Sequence, residues 1–174
     1  MNIHIRNEQM ADIQAIFDLT EVAFREQEYS SHTEQFIVNA LRDSNQLTVS
    51  LVAENDQNIV GHIALSPVQI SDRTKGWYGL GPISVLPKYQ AQGIGSQLMK
   101  AGLVALKDLQ AAGCVLLGDP QYYGRFGFKA DTRLILEGVP AEYFQILTFS
   151  EIVPTGYVTY ADAFNATESS PSTV

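Results

Sequence analysis

At 174 residues with an ordinary apolar content, the chain has the size of one domain and enough length to bury a real core. A formal charge of −8 disfavours a general nucleic-acid surface, which would need a basic stripe, and mildly favours cationic partners through steering. No apolar run reaches the roughly 18 residues of a membrane span, and the single cysteine, Cys114, excludes an intramolecular disulfide and a cysteine metal cluster.

The start, MNIHIRNEQM, lacks the basic flank and apolar stretch of a signal peptide, so a cytoplasmic protein is expected. Asn2 to Arg6 alternates as a short strand. Met10 to Phe24 reads as an amphipathic helix with Ile13, Ile16, Phe17 and Phe24 on one face and Asn7 as the nearest capping side chain. Ser31 and Glu34 have capping-box spacing, which predicts a second helix over His32 to Arg42. The acidic stretch before it, Glu21 to Ser31, is then an exposed connection between helices.

Leu47 to Ala53 and Ile59 to Val68 read as a hairpin turning at residues 54–58. His62 lies on its second strand, where a packed or hydrogen-bonded histidine is the commoner outcome, and His4 and His32 have no partner at a telling spacing. No cluster of His, Cys and carboxylates supports a metal. Trp77 to Leu86 is a strand interrupted by Gly79, Gly81 and Pro82, which suits a bulge or an opening in the sheet.

The next stretch is the most informative. Pro87 stops the strand, and Ile94, Leu98, Met99, Leu103 and Leu106 then fall at helical spacing, so Gly93 and Gly95 sit where a helix over Gly93 to Gln110 starts. The first turn of a helix has amides without intrahelical partners, and glycine lets a ligand approach them, which makes an anion site suited to phosphate. The third small residue of a dinucleotide-binding turn is replaced by Leu98, and no phosphate loop ending in Gly-Lys-Ser/Thr occurs. Lys88 and Lys100 are the nearby cations.

Downstream, Cys114 to Leu117 reads as a strand. Asp119-Pro120 is a helix start signal and predicts a short helix from Pro120 to Arg125. Three strand-like pieces, Leu134 to Leu136, Phe144 to Phe149 and Gly156 to Tyr160, are expected to pair at the far edge of the sheet. Asn165 to Val174 reads as a frayed tail after a single domain over residues 1–164. The order of elements predicts an α/β or α+β mixed sheet with helices on both faces.

The pattern Q-x-x-G-x-G at Gln90, Gly93 and Gly95, behind a strand ending in Pro87, resembles the acyl-CoA pyrophosphate loop of the GCN5-related N-acetyltransferases (GNAT). The segment Tyr123-Gly124-Arg125-Phe126-Gly127-Phe128 is similar to the Y-x-x-x-G-F end of that family's core, and the wording GDPQYYGRFGF is closest to its YhbS-like bacterial branch. The resemblance covers residues 3–164 and is sharp over 81–128.

The resemblance implies a GNAT-like fold, acetyl-CoA as co-substrate with no metal, and transfer of the acetyl group to a primary amine. The implied coenzyme-binding residues are Ile83, Ser84 and Val85 on the strand and Gln90, Ala91, Gln92, Gly93, Ile94, Gly95 and Ser96 on the loop. Tyr123 is implied as the acid that protonates the departing thiolate, with Tyr122 beside it as the alternative. The loop carrying Glu21, Glu26, Glu28 and Tyr29 would wall the acceptor site, and no general base stands out. Many members carry an Asn upstream of the tyrosine, whereas Gly118-Asp119-Pro120 stands here, so an Asn contact to pantetheine is not carried over. The implied partner is a small-molecule or peptide amine, with no nucleic acid and no membrane. A homodimer is left open, as are a non-catalytic acyl-CoA sensor and an interaction module with a purely structural glycine turn.

Overall fold

The computed structural model describes residues 1–168. In chain order the elements are β1 (Ile3–Asn7), α1 (Ile13–Phe24), α2 (Glu34–Asp43), β2 (Val49–Asn55), β3 (Asn58–Pro67), β4 (Gln69–Ile70) and β5 (Trp77–Val85). They continue with α3 (Ile94–Asp108), β6 (Gly113–Leu117), α4 (Pro120–Tyr123), β7 (Lys129–Ala130), β8 (Leu134–Ile135), β9 (Phe144–Thr148) and β10 (Gly156–Thr159). Seven strands form the main sheet in the order β1-β2-β3-β5-β6-β9-β7, antiparallel except for the parallel pair β5–β6.

The alternation of β2 sorts the two faces. Val49, Leu51 and Ala53 join the cluster built on α3, with Leu98, Met99 and Leu106 fully buried. Val52, between them, packs with Ile16 of α1 and Val38 of α2 on the opposite face. Helices therefore cover both faces, as the order of elements predicts. Each such buried aliphatic side chain contributes about 1.5–3 kcal/mol. Among the described residues no helix is long and apolar enough to cross a membrane.

Three expectations need correction. The segment Met10–Asp12 forms a 3₁₀ turn, and α1 begins only at Ile13. Its capping group is not Asn7: the Asp12 carboxylate accepts the Gln9 N–H at 2.7 Å and also pairs with Arg6 at 2.7 Å. The second helix starts at Glu34 with Thr33 as its cap, so the Ser31–Glu34 box does not form. Instead the Ser30 hydroxyl donates to Glu34 Oε1 at 2.6 Å.

The third correction concerns the C-terminal strands. Of the three expected pieces only the second, β9, joins the main sheet, where β7 pairs beyond it. β8 and β10 join β4 in a separate three-stranded sheet. Its apolar residues Ile70, Leu134 and Val158 pack with Trp77, Val115 and Phe144 of the main sheet. Ala161 and Phe164 then close against Ile37 and Leu41 of α2, with Asn165 ending a 3₁₀ turn that starts at Asp162. Residues 169–174 of the expected tail lie outside the described residues.

Candidate active site

The site forms where the main sheet stops being continuous. β5 and β6 pair only over Trp77–Gly113, Tyr78–Cys114 and Gly79–Val115. Beyond Gly79, β5 keeps its bonds to β3 alone, with a register shift opposite Gly81 and Pro82. Gly81 has φ +141°, a conformation that side chains disfavour. The Tyr160 ring lies directly on the backbone of Gly79 and leaves no room for a Cβ there. The strands thus part with an aromatic ring seated at the fork, and the edge of residues 80–85 faces open space.

Two cavities fill that space. The first, about 420 Å³, is walled by Ile83 and Val85 of β5, the loop before α3, Tyr122, Arg125 and Gln27. Gly93 caps α3 in the left-handed region (φ +83°), and no heavy atom lies within 4 Å of where its Cβ would stand. The first α-helical bond runs from the Gln97 N–H to the Gly93 carbonyl at 3.1 Å, so the Ile94, Gly95 and Ser96 amides start the helix without intrahelical partners. Those amides and the helix dipole favour an anion.

Both loop glutamines are braces. The Gln90 side-chain amide donates to the Val85 carbonyl at 2.9 Å, and that of Gln92 donates to the Lys88 carbonyl at 3.0 Å. They tie the loop to the end of β5 and to the turn that follows it. Arg125 stacks 4.5 Å from the Tyr122 ring centroid and donates to the Tyr122 carbonyl at 3.2 Å. The Tyr122 hydroxyl in turn lies against Gly95, 3.0 Å from a Cβ built there.

The second cavity, about 430 Å³, opens on the other side of Tyr123. Its walls are mostly apolar: Phe24, Ile37, Leu117, Leu136 and Phe164, with Leu80 to Ile83 as the floor. Tyr160 and Glu34 add the polar groups beside Tyr123. Glu34 Oε2 is out of contact with solvent and accepts no hydrogen bond. Tyr123 and Ile83 line both cavities. The Tyr123 ring rests on Gly118 so closely that only glycine fits there. Burial, reinforced by Tyr122 and Asp119, pushes the Tyr123 phenol up to about 12. Burial also raises the Tyr160 phenol.

An acetyltransferase (GNAT) domain model matches residues 46–130. The chain is 35% identical over 145 residues to the uncharacterised N-acetyltransferase YhbS of Escherichia coli K12, covering 79% of this chain and 86% of that one. A crystal structure of a GNAT family acetyltransferase from Brucella melitensis in complex with acetyl-CoA is 50% identical, with a TM-score of 0.84, covering 94% of this chain and 98% of that one. The crystal structure of E. coli YhbS in complex with CoA is 33% identical, with a TM-score of 0.85, covering 95% and 93%. The chain belongs to the GNAT family of acetyltransferases.

Within this GNAT domain the residues singled out by sequence separate into groups. Ile83, Val85, Gln90, Ala91, Gly93, Ile94, Gly95, Ser96 and Tyr123 all line the first cavity. Ser84 and Gln92 do not: Ser84 is buried at 3% exposure on the other face of β5, opposite His62. Lys88 sits 5.0 Å from the centroid of the Tyr89 ring, and neither it nor Lys100 lines the cavity. Arg125 is the cation on its wall, one of the unspecified positions of Y-x-x-x-G-F.

Glu21, Glu26, Glu28 and Tyr29 are exposed and line neither cavity. The same region contributes Phe24, Gln27 and Glu34 instead, which the charge-based reading missed. Asp119 is a cap, accepting the Gln121 N–H at 2.9 Å. His62 is fully buried against Ser50, 2.8 Å between Nε2 and Oγ, outside both cavities.

Proposed function

We propose that the protein is an acetyl-CoA-dependent N-acetyltransferase in which a primary amine, held in the second cavity, attacks the donor in the first directly. The observation that carries this reading is the position of Tyr123 on the wall between two cavities, beside a length of β5 whose edge toward β6 has no partner strand. The first cavity fits the anionic donor on three counts: open space over Gly93, unpaired amides at the start of α3, and Arg125 on the wall. The relatives whose structures contain acetyl-CoA or CoA support the same assignment.

Acetyl-CoA supplies the reactive thioester. The Gly93 to Ser96 backbone and Arg125 bind the pyrophosphate, and the free edge of Ile83 to Val85 aligns the pantetheine arm. An amide of that edge polarises the thioester oxygen, an oxyanion-type contact. Ile83 and the Tyr123 ring exclude water between the cavities. Tyr123 keeps its proton throughout the physiological range, because its phenol is pushed up to about 12, and gives it to the sulfur as the new C–N bond forms and the C–S bond breaks; the proton shed by the amine nitrogen restores the phenol through solvent. Placing amine and donor on either side of one ring supplies the proximity that dominates such a transfer. We take residues 1–164 as the catalytic domain.

Calorimetric titration with acetyl-CoA, followed by thiol release across a panel of amines, tests the proposal. Saturable binding with amine-dependent thiol release is the expected result. Binding without release from any amine would instead favour a coenzyme-binding sensor, and no binding would refute the reading.

A further inference from the structure

The second cavity is poorly suited to a charged amine. Most of its wall is hydrocarbon, and four aromatic rings line it, those of Phe24, Tyr123, Tyr160 and Phe164. Its one carboxylate does not answer an ammonium. Glu34 Oε1 accepts the Ser30 hydroxyl at 2.6 Å, and Oε2 has no contact with solvent, so it does not border a space that solvent fills. The other polar side chains on the wall are the phenols of Tyr123 and Tyr160, and burial keeps both protonated. Among the described residues the wall thus offers an incoming cation no carboxylate oxygen that is both open and unengaged, and it offers no other base.

An ammonium entering such a space gives up its hydration, and the ring faces return only part of that loss. Attack on the thioester also needs the nitrogen lone pair, so a charged amine is both poorly held and unreactive. An amine as basic as a lysine side chain is neutral in only about one molecule in 2,500 at pH 7. An arylamine shares its lone pair with its ring and is neutral throughout the physiological range. Resting on the N-acetyltransferase reading above, we infer that the acceptor is a weakly basic arylamine that enters the second cavity already neutral. About 430 Å³ accommodates such a body and lies within the usual range of small-molecule pockets. Its ring finds aromatic partners in Tyr160 and Phe164, whose centroids lie 4.9 Å apart with planes inclined at 60°. The nitrogen bonds to the thioester carbon as the C–S bond breaks, the sulfur takes the Tyr123 proton, and the nitrogen sheds one proton to solvent. A weakly basic nitrogen sheds that proton readily, which suits a wall without a base.

The isomers p-toluidine and benzylamine share a ring and the same heavy atoms, the first weakly and the second strongly basic. Steady-state acetylation of both by the wild-type protein, between about pH 7 and about pH 8.5, tests the inference, with acetyl-CoA binding followed by calorimetry in parallel. At pH 7 the KM for p-toluidine should be lower than that for benzylamine by roughly tenfold or more, and it should not move with pH. The KM for benzylamine should fall by about tenfold per pH unit while its kcat stays level, because only its neutral form enters. A benzylamine KM that holds steady while kcat rises would mean that the cation binds, and overturns the inference. So does a lower KM for benzylamine than for p-toluidine at pH 7. Acetyl-CoA binding without turnover of p-toluidine overturns it too, while leaving the coenzyme assignment intact. Failure of wild type to bind acetyl-CoA overturns both.

Discussion

The two cavities beside Tyr123 are nearly equal in size and opposite in construction. The first is built mainly from two short stretches of chain, 83–96 and 122–125, and its binding groups are backbone amides exposed by a helix start. The second draws single residues from the end of α1, the start of α2, the bulge of β5, the end of β6 and the C-terminal segment. Its groups are side chains, and its shape depends on Tyr160 at the fork and Phe164 against α2. A site made of backbone at a turn constrains the sequence locally and serves one ligand. A site made of scattered side chains can change its specificity without disturbing the sheet.

The sharpest test of this difference is Gly93→Val. The left-handed φ costs a side chain about 1–2 kcal/mol, and the valine would occupy space now open above the α3 amides. Losing two charge-assisted amide contacts, at about 1.5–3 kcal/mol each, should weaken acetyl-CoA binding by about a hundredfold or more. Gly95→Ala is the comparison: its Cβ comes close to the Tyr122 hydroxyl, the far end of a side chain that can yield, and reaches Val85 only at ordinary contact distance. Calorimetry on both variants, with thermal melting as a folding control, should show a large loss in the first and a small one in the second. Equal affinities would mean that the first cavity does not work through its backbone.

Tyr123→Phe probes the wall the cavities share. General acid participation is worth about 10²–10⁴-fold in rate, so kcat should fall within that range while acetyl-CoA affinity holds. Tyr122→Phe should cost much less, because that hydroxyl lies against Gly95 at the coenzyme loop and Tyr122 does not line the second cavity. With the phenol pushed up to about 12, loss of its proton should produce no alkaline limb below about pH 11. A wild-type kcat in Tyr123→Phe would leave proton return to solvent and reduce the tyrosine to a wall.

The same contrast explains what the sequence could disclose. Helical spacing after Gly93 and the strand broken by Gly79, Gly81 and Pro82 are local signals, and both the α3 start and the parting of β5 from β6 were legible in them. Arg125 was visible but anonymous, since its use depends on stacking over Tyr122. Glu34 was misread because Ser31 and Glu34 have capping-box spacing, while the helix is capped at Thr33 and the carboxylate accepts from Ser30 instead. Nothing local marks Tyr160 or Phe164 as pocket residues. Their place follows from β10 pairing with β4, a contact between strands some ninety residues apart whose register no local pattern states.

The smallest effect at neutral pH concerns the frame beneath both cavities. His62 of β3 lies opposite Ser84 of β5, the strand that serves the two sites. Burial, and then the charge of Arg42, hold its folded pKa down to about 3, against about 6.5 in the unfolded chain. The unfolded state therefore takes up the proton first. Stability from this group is complete above about pH 6.5, declines as pH falls, and levels off only near 3. The loss should be near zero at pH 8 and about 2 kcal/mol at pH 5. Asp12 and Asp131, which Arg6 and Arg133 hold below the ordinary carboxylate range, add acid sensitivity only below about pH 4, so the upper window is separable. Denaturant unfolding at pH 8, 6.5 and 5 should show the decline in wild type and a nearly flat profile in His62→Gln. Because β5 is common to both cavities, acetyl-CoA binding and amine turnover should fail together with the fold as pH drops. Early loss of one alone would show that the cavities do not share β5 as a single rigid wall.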